Sequence, residues 1–105
     1  MDDVFKALAD ASRRLLLDRM FERPGQTLGE LCQGLEMSRQ AVSKHLAILE
    51  EANLVAAIKR GREKLHYLNA VPIHEIADRW IGKYQRAPLD ALVALKSRLE
   101  EENDA

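Results

Sequence analysis

The sequence predicts a mainly α fold carrying one small β-hairpin, and three observations predict it. Apolar residues recur at i, i+3 and i+4 through most of the 105-residue chain. Two short runs, Val55 to Ile58 and Leu65 to Leu68, read instead as strands around a charged loop centred on glycine. Hydrophobic residues make up 47% and charged residues 31%, a balance that suits a folded helical chain rather than a disordered one.

The elements follow in order. Val4, Phe5, Leu8 and Ala9 fall on one face of a short first helix. Asp10-Ala11-Ser12 offers a break or a cap before a second, strongly apolar helix with Leu15, Leu16, Leu17, Met20 and Phe21. Arg23-Pro24-Gly25 ends it, because proline removes a donor and glycine supplies a turn. Thr27-Leu28-Gly29-Glu30 has the form of a capping box and starts a third helix. Leu28, Leu31, Cys32 and Leu35 point inward from it, and Gly34 serves the turn that follows. Ser38 is a good N-cap for a fourth helix, whose buried side is Ala41, Val42, His45, Leu46 and Leu49.

That pattern leaves Arg39, Gln40, Ser43, Lys44 and Ala47 on the open side, and Asn53 ends the helix. Gly61 is free to take a positive φ at the tip of the hairpin, between Lys59-Arg60 and Arg62-Glu63-Lys64. Pro72 begins a last helical segment with Ile73, Ile76, Trp80, Ile81 and Tyr84 as its apolar stripe. Pro88 predicts a kink or restart before Leu89, Leu92, Val93, Leu95 and Leu99. One domain is expected over residues 1–105, with a helix pair at about 27–52, a hairpin at about 54–69 and a C-terminal helix at about 72–102.

Charge is unevenly spread. Residues 1–37 carry five basic and seven acidic side chains, and residues 68–105 carry the same, so each flank is net −2. Residues 38–67 carry six basic and three acidic, net +3. The fourth helix is also charged against its own stability. Acid favours the first turn and base the last, because of the macrodipole, yet this helix opens on Ser-Arg-Gln and closes on Glu50-Glu51. Readout explains the inversion. A helix that enters the major groove by its N-terminal half needs its base-reading groups there: Gln pairs with adenine, Arg forks onto guanine, Ser reads either base or holds a phosphate.

A short helix pair followed by a basic hairpin is a helix-turn-helix with a wing. Lys59, Arg60, Arg62 and Lys64 crowd a tip that no core explains, and such a tip lies along the DNA backbone or reaches into a minor groove. Dimerisation is expected on separate grounds. A domain this small cannot cover the apolar surface of the last helix, with Ile76, Trp80, Tyr84, Leu92 and Leu95, together with Phe5 and Leu8 of the first. Packing them against a two-fold copy would place two reading helices about 34–36 Å apart, one turn of DNA.

Over nearly its whole length the chain resembles the ArsR/SmtB-type bacterial winged-helix repressors. The resemblance rests on VFKALADASRRLLLDRM, on TLGELCQGLEMSRQAVSKHLAILEEANLV and on GREKLHYLN. It implies a homodimer on an operator of inverted-repeat character, released when a signal arrives. It also implies that Ser38, Arg39, Gln40, Ser43, Lys44 and His45 face DNA, with Arg60 and Arg62 in the wing.

Many metal-sensing members of that family carry two cysteines in the third helix. Here Glu30-Leu31-Cys32 is present, but Gly34 stands at the second position, and one thiolate does not hold a soft metal alone. No metal ligand set and no cofactor are expected. Cys32, set among Leu28, Leu31 and Leu35, reads as a buried, inert thiol, and His66 as structural or close to the DNA backbone.

The three histidines lie far apart, with no catalytic spacing and no phosphate-cradling glycine loop, so no enzyme is expected. No apolar run approaches a membrane span, and MDDVFKALAD lacks a signal-peptide pattern, so a cytoplasmic regulator without a membrane partner is expected. Two alternatives stay open: a metal- or thiol-responsive repressor using Cys32, and a winged helix that binds protein instead of DNA. A small-molecule inducer is compatible with the first reading.

Overall fold

The starts of three helices are made by side chains that accept from an otherwise unpaired amide. In the computed structural model, which describes residues 1–85 and 89–104, Asp10 caps α2 (Ala11–Glu22) by accepting from the Arg13 N–H at 3.1 Å. Thr27 and Glu30 close a full capping box on α3 (Leu28–Cys32). Ser38 caps α4 (Arg39–Glu51) through the Ala41 N–H at 3.1 Å. Before them lies α1 (Asp2–Leu8). The chain forms two units, Met1–His74 and Glu75–Ala105.

In the first unit the core is Leu16, Met20, Leu31, Val42, Leu49 and Leu54, all fully buried. Helix α4 packs on α1, α2 and α3 and on β1 (Val55–Arg60), so the predicted reading helix is the element the others are built around. β1 pairs antiparallel with β2 (Glu63–Leu68), from Val55 opposite Leu68 to Arg60 opposite Glu63. Both strands run two residues further toward the tip than the apolar pattern predicts. Backbone pairing does not depend on apolar side chains, so the charged tip residues join the ladder. The loop shrinks to Gly61-Arg62, where Gly61 takes φ +64 and Arg62 does not follow, as a type II′ turn requires.

Helix ends are served by side chains from elsewhere in the chain. Arg13 and Arg14 donate to the Lys6, Ala7 and Leu8 carbonyls at the end of α1. The buried Gln26 side chain donates to the Arg19 and Arg23 carbonyls at the end of α2. Arg19 reaches the Leu31 and Gln33 carbonyls at the end of α3. α4 closes in a Schellman motif, with Asn53 at φ +63 and the Leu54 N–H bonded to the Leu49 carbonyl at 2.9 Å. Gln26 also bridges to His66, whose Nδ1 donates to the Gln26 carbonyl at 2.9 Å. His66 is therefore structural and buried at the root of the wing. The Tyr67 ring closes over Gly25, at φ +82, and lies 3.0–3.4 Å from where a β-carbon would stand, so a side chain there would be strained by the backbone and would crowd the ring.

Several burial expectations are corrected. In α1 the buried residues are Val4 and Ala7, while Phe5 and Ala9 turn outward. In α2, Leu16, Leu17 and Met20 are buried, but Leu15 is exposed and Phe21 is 75% exposed. Apolar content extends round more of that helix than its neighbours cover. α3 ends at Cys32, so Leu35 lies beyond it, and Leu31 alone is fully buried there. Ala41 and His45 are half-buried beside the fully inward Val42 and Leu49. Cys32 is half-buried, not sealed.

After α5 (Val71–Ile76), with Pro72 in its first turn, the second unit continues through a π-helical stretch, Ala77–Ile81, then α6 (Gly82–Gln85) and α7 (Leu89–Asp104). Trp80 and Tyr84 lie side by side, ring centroids 6.2 Å apart. Pro88, where a kink or restart is expected, lies outside the described residues, and so does the side chain of Leu89. Among the described residues no helix is long and apolar enough to cross a membrane.

Candidate nucleic-acid interface

The predicted DNA-facing residues sit where α4 and the hairpin leave them. Ser38, Arg39, Gln40, Ser43 and Lys44 are exposed on α4, and Lys59, Arg60, Arg62 and Lys64 are exposed on the hairpin. His45 is half-buried at the margin of α4, and its Nδ1 is occupied by Arg13 at 3.2 Å. The Ser38 oxygen serves the helix cap, which leaves its hydroxyl proton free to donate.

The cations divide into two populations. Arg13, Arg14, Arg19 and Arg23 in and after α2 are all bonded to carbonyls or carboxylates of the chain. Among the described residues, the side chains of Arg39, Lys44, Lys59, Arg60, Arg62 and Lys64 make no hydrogen bond or ion pair, and neither do Gln40 and Ser43. The register sets Lys59 directly opposite Lys64, a like-charge pair that destabilises an isolated hairpin. Arg60 faces Glu63 across the tip without closing an ion pair.

A groove of about 570 Å³ runs between α3, α4 and the wing. Arg39, Ser43, Arg62 and Lys64 line it together, whereas Gln40, Lys44, Lys59 and Arg60 stand outside it. Sequence reading missed its floor: Thr27, Leu28 and Gly29, and the inner face of Leu46 and Ala47. The capping box at Thr27 was the available signal, because it fixes where α3 begins. Glu50, near the end of α4, lines it as well, and so does Glu63 of the wing. The groove thus carries Arg39 on the α4 side and Arg62 and Lys64 on the wing side against the carboxylates of Glu50 and Glu63, and with the further cations outside it the surface suits a polyanion.

Two carboxylates are tuned by their caps. The Arg13 backbone N–H, then the charges of Arg13 and His45 and the Ser12 N–H, hold Asp10 below the ordinary carboxylate range. The Thr27 N–H and hydroxyl, then Arg23, do the same for Glu30. Both serve the scaffold beneath the surface. Among the described residues no group of three or more His, Cys, Asp or Glu side chains is placed to hold a metal ion.

The expected dimer residues are also open. Phe5, Trp80, Tyr84, Leu92 and Leu95 are exposed, and Leu8 and Ile76 are half-buried.

Comparison with known proteins finds helix-turn-helix transcriptional regulators. A helix-turn-helix domain family model matches residues 8–57. The chain is 40% identical over 86 residues to the uncharacterized HTH-type transcriptional regulator YuzN of Bacillus subtilis, covering 76% of this chain and 94% of that protein. It is 29% identical over 100 residues to the arsenical resistance operon repressor of Escherichia coli, covering 95% and 85% respectively. An ArsR-like transcriptional regulator from Rhodococcus sp. RHA1 superposes with a TM-score of 0.75 at 31% identity, over 95% of this chain and 90% of that one.

Proposed function

The chain belongs to the ArsR-type family of helix-turn-helix transcriptional regulators, and from that premise we propose how it engages its operator. It is a DNA-binding repressor and not an enzyme. In the proposed complex it is a cytoplasmic homodimer. Each protomer lays the N-terminal half of α4 in a major groove, with Ser38, Arg39, Gln40, Ser43, Lys44 and His45 toward the duplex. Lys59, Arg60, Arg62 and Lys64 of the wing follow the adjoining backbone.

One observation carries this reading: among the described residues the cations of α4 and the wing make no hydrogen bond or ion pair, while the arginines of α2 are all engaged. A fold that has engaged one set of guanidinium groups and left the other cations bare is prepared for an external anion.

The dimer is supported by the exposed apolar side chains of α1 and of the second unit, Phe5 at 45%, Trp80 at 48% and Leu92 at 64% among them. Two-fold pairing through these residues would set the separation of the reading helices. An inducer that prefers another separation would lower operator affinity. Cys32, a lone thiol, gives no basis for metal sensing.

Selection from a random-sequence duplex library, followed by gel shift, tests the proposal. The expected product is an inverted repeat whose half-sites lie about 10 bp apart, centre to centre. Enrichment of no sequence, or of an unpaired half-site, would overturn it.

A further inference from the structure

Arg13 joins three pieces of the first unit. Its Nε donates to the Ala7 carbonyl at 2.8 Å and its Nη2 to the Lys6 carbonyl at 3.0 Å, both at the end of α1. Its Nη1 donates to His45 Nδ1 on α4 at 3.2 Å. Asp10 seats the residue at the start of α2, accepting from the Arg13 N–H and lying 4.0 Å from Nη1. A guanidinium has donors only, so Nδ1 of His45 is the acceptor and the ring proton sits on Nε2.

Among the described residues Nε2 makes no hydrogen bond, and no buried side-chain nitrogen or oxygen lacks one. Nε2 therefore reaches solvent. It does so from the margin between the buried and open sides of α4, one residue from Lys44. A donor at the margin of a reading helix meets the wall of the major groove, where phosphate oxygens lie, and not the base edges.

We infer that Arg13 is a positioning residue for duplex binding: it fixes the tautomer and orientation of His45 so that Nε2–H donates to a backbone phosphate oxygen. This rests on the reading of α4 as the duplex-reading helix. Arg13 itself, spent on α1 and on His45, touches no phosphate. The pair is 32 residues apart in sequence and belongs to no local motif.

The test is a titration of the full chain, ¹⁵N-labelled at histidine and glutamine, with the duplex recovered by selection. The free protein should show the widely separated ring-nitrogen pair of an Nε2–H tautomer at His45, and duplex should move the Nε2 signal. Arg13→Met should narrow that separation and weaken binding about tenfold. His45→Ala should weaken it by a similar factor, and the double variant should bind no worse than the weaker single one.

The slope of log affinity against log salt should be the same for wild type and Arg13→Met. Factors that multiply in the double variant, a lowered slope, or a proton on Nδ1 would each overturn the inference. If Arg13→Met does not fold, the wild-type titration decides alone, since a His45 ring unmoved by duplex overturns the inference. A duplex that shifts the Gln40 side-chain amide but not the His45 ring sinks only the role of Arg13. A duplex that moves neither sinks the reading of α4 as well.

Discussion

Gln40 is exposed near the start of α4 and its side chain makes no hydrogen bond among the described residues, so its amide costs the fold nothing to lend to a base pair. Replacing it with alanine should leave folding unchanged and relax preference at one base pair by about 1–3 kcal/mol, read as the affinity ratio between matched and mismatched duplexes. Asp10 has the opposite character, because its work is internal. Its carboxyl binds protons less readily in the folded chain than in the unfolded one, chiefly because the Arg13 N–H bonds the ionised form. The stability it contributes is fully present above the ordinary carboxylate range and is lost as pH falls through the folded value. Glu30 follows the same rule through Thr27. Asp10→Asn keeps a capping oxygen but removes the titration. It should therefore lose less stability than wild type between pH 7 and pH 3 in urea melts.

At the scale of elements, caps and turns carry testable weight. Thr27→Ala removes the hydroxyl that starts α3 and half of the capping box, and should lower unfolding stability by about 1 kcal/mol. A β-carbon at Gly61 would meet no atom within 4 Å beyond its chain neighbours, so Gly61→Ala is a test of backbone conformation alone; at φ +64 it should destabilise the hairpin by about 1 kcal/mol, seen as faster amide exchange in β1 and β2. Most elements were legible because period and cap agreed: Asp10, Thr27 and Ser38 each stand just before an apolar helical pattern. Less legible features had physical reasons. The strands were read short because Lys59, Arg60, Glu63 and Lys64 are poor strand formers held in place by pairing. Leu15 and Phe21 looked buried because composition does not say which side of a helix its neighbours cover. The π-helical stretch at Ala77–Ile81 is a change of backbone register, without a side-chain pattern of its own. The Arg13–His45 contact and the groove floor depend on tertiary packing. By contrast, the exposed face of α4 followed directly from its 3.6-residue period.

For the whole molecule, the surface left bare is apolar in some places and cationic in others, and the two call for different partners. The apolar side chains of α1 and the second unit suit a second copy, since burying them needs area and shape more than charge. Leu95→Asp should shift the chain from dimer to monomer in sedimentation. It should also reduce affinity for a two-half-site duplex far more than for a single half-site, because pairing supplies effective concentration. The cationic face suits a duplex despite a net charge of −1, since its positive groups lie together in residues 38–67 while the flanks are acidic.

The most direct test of that face is the salt dependence of affinity for the selected duplex, compared between wild type and the Arg62→Ala and Lys64→Ala variants. The slope of log affinity against log salt should fall by about 0.9 for each phosphate contact removed, with the urea midpoint unchanged. Slopes identical to wild type in both variants would mean that the wing meets no backbone and that its bare cations serve some other partner.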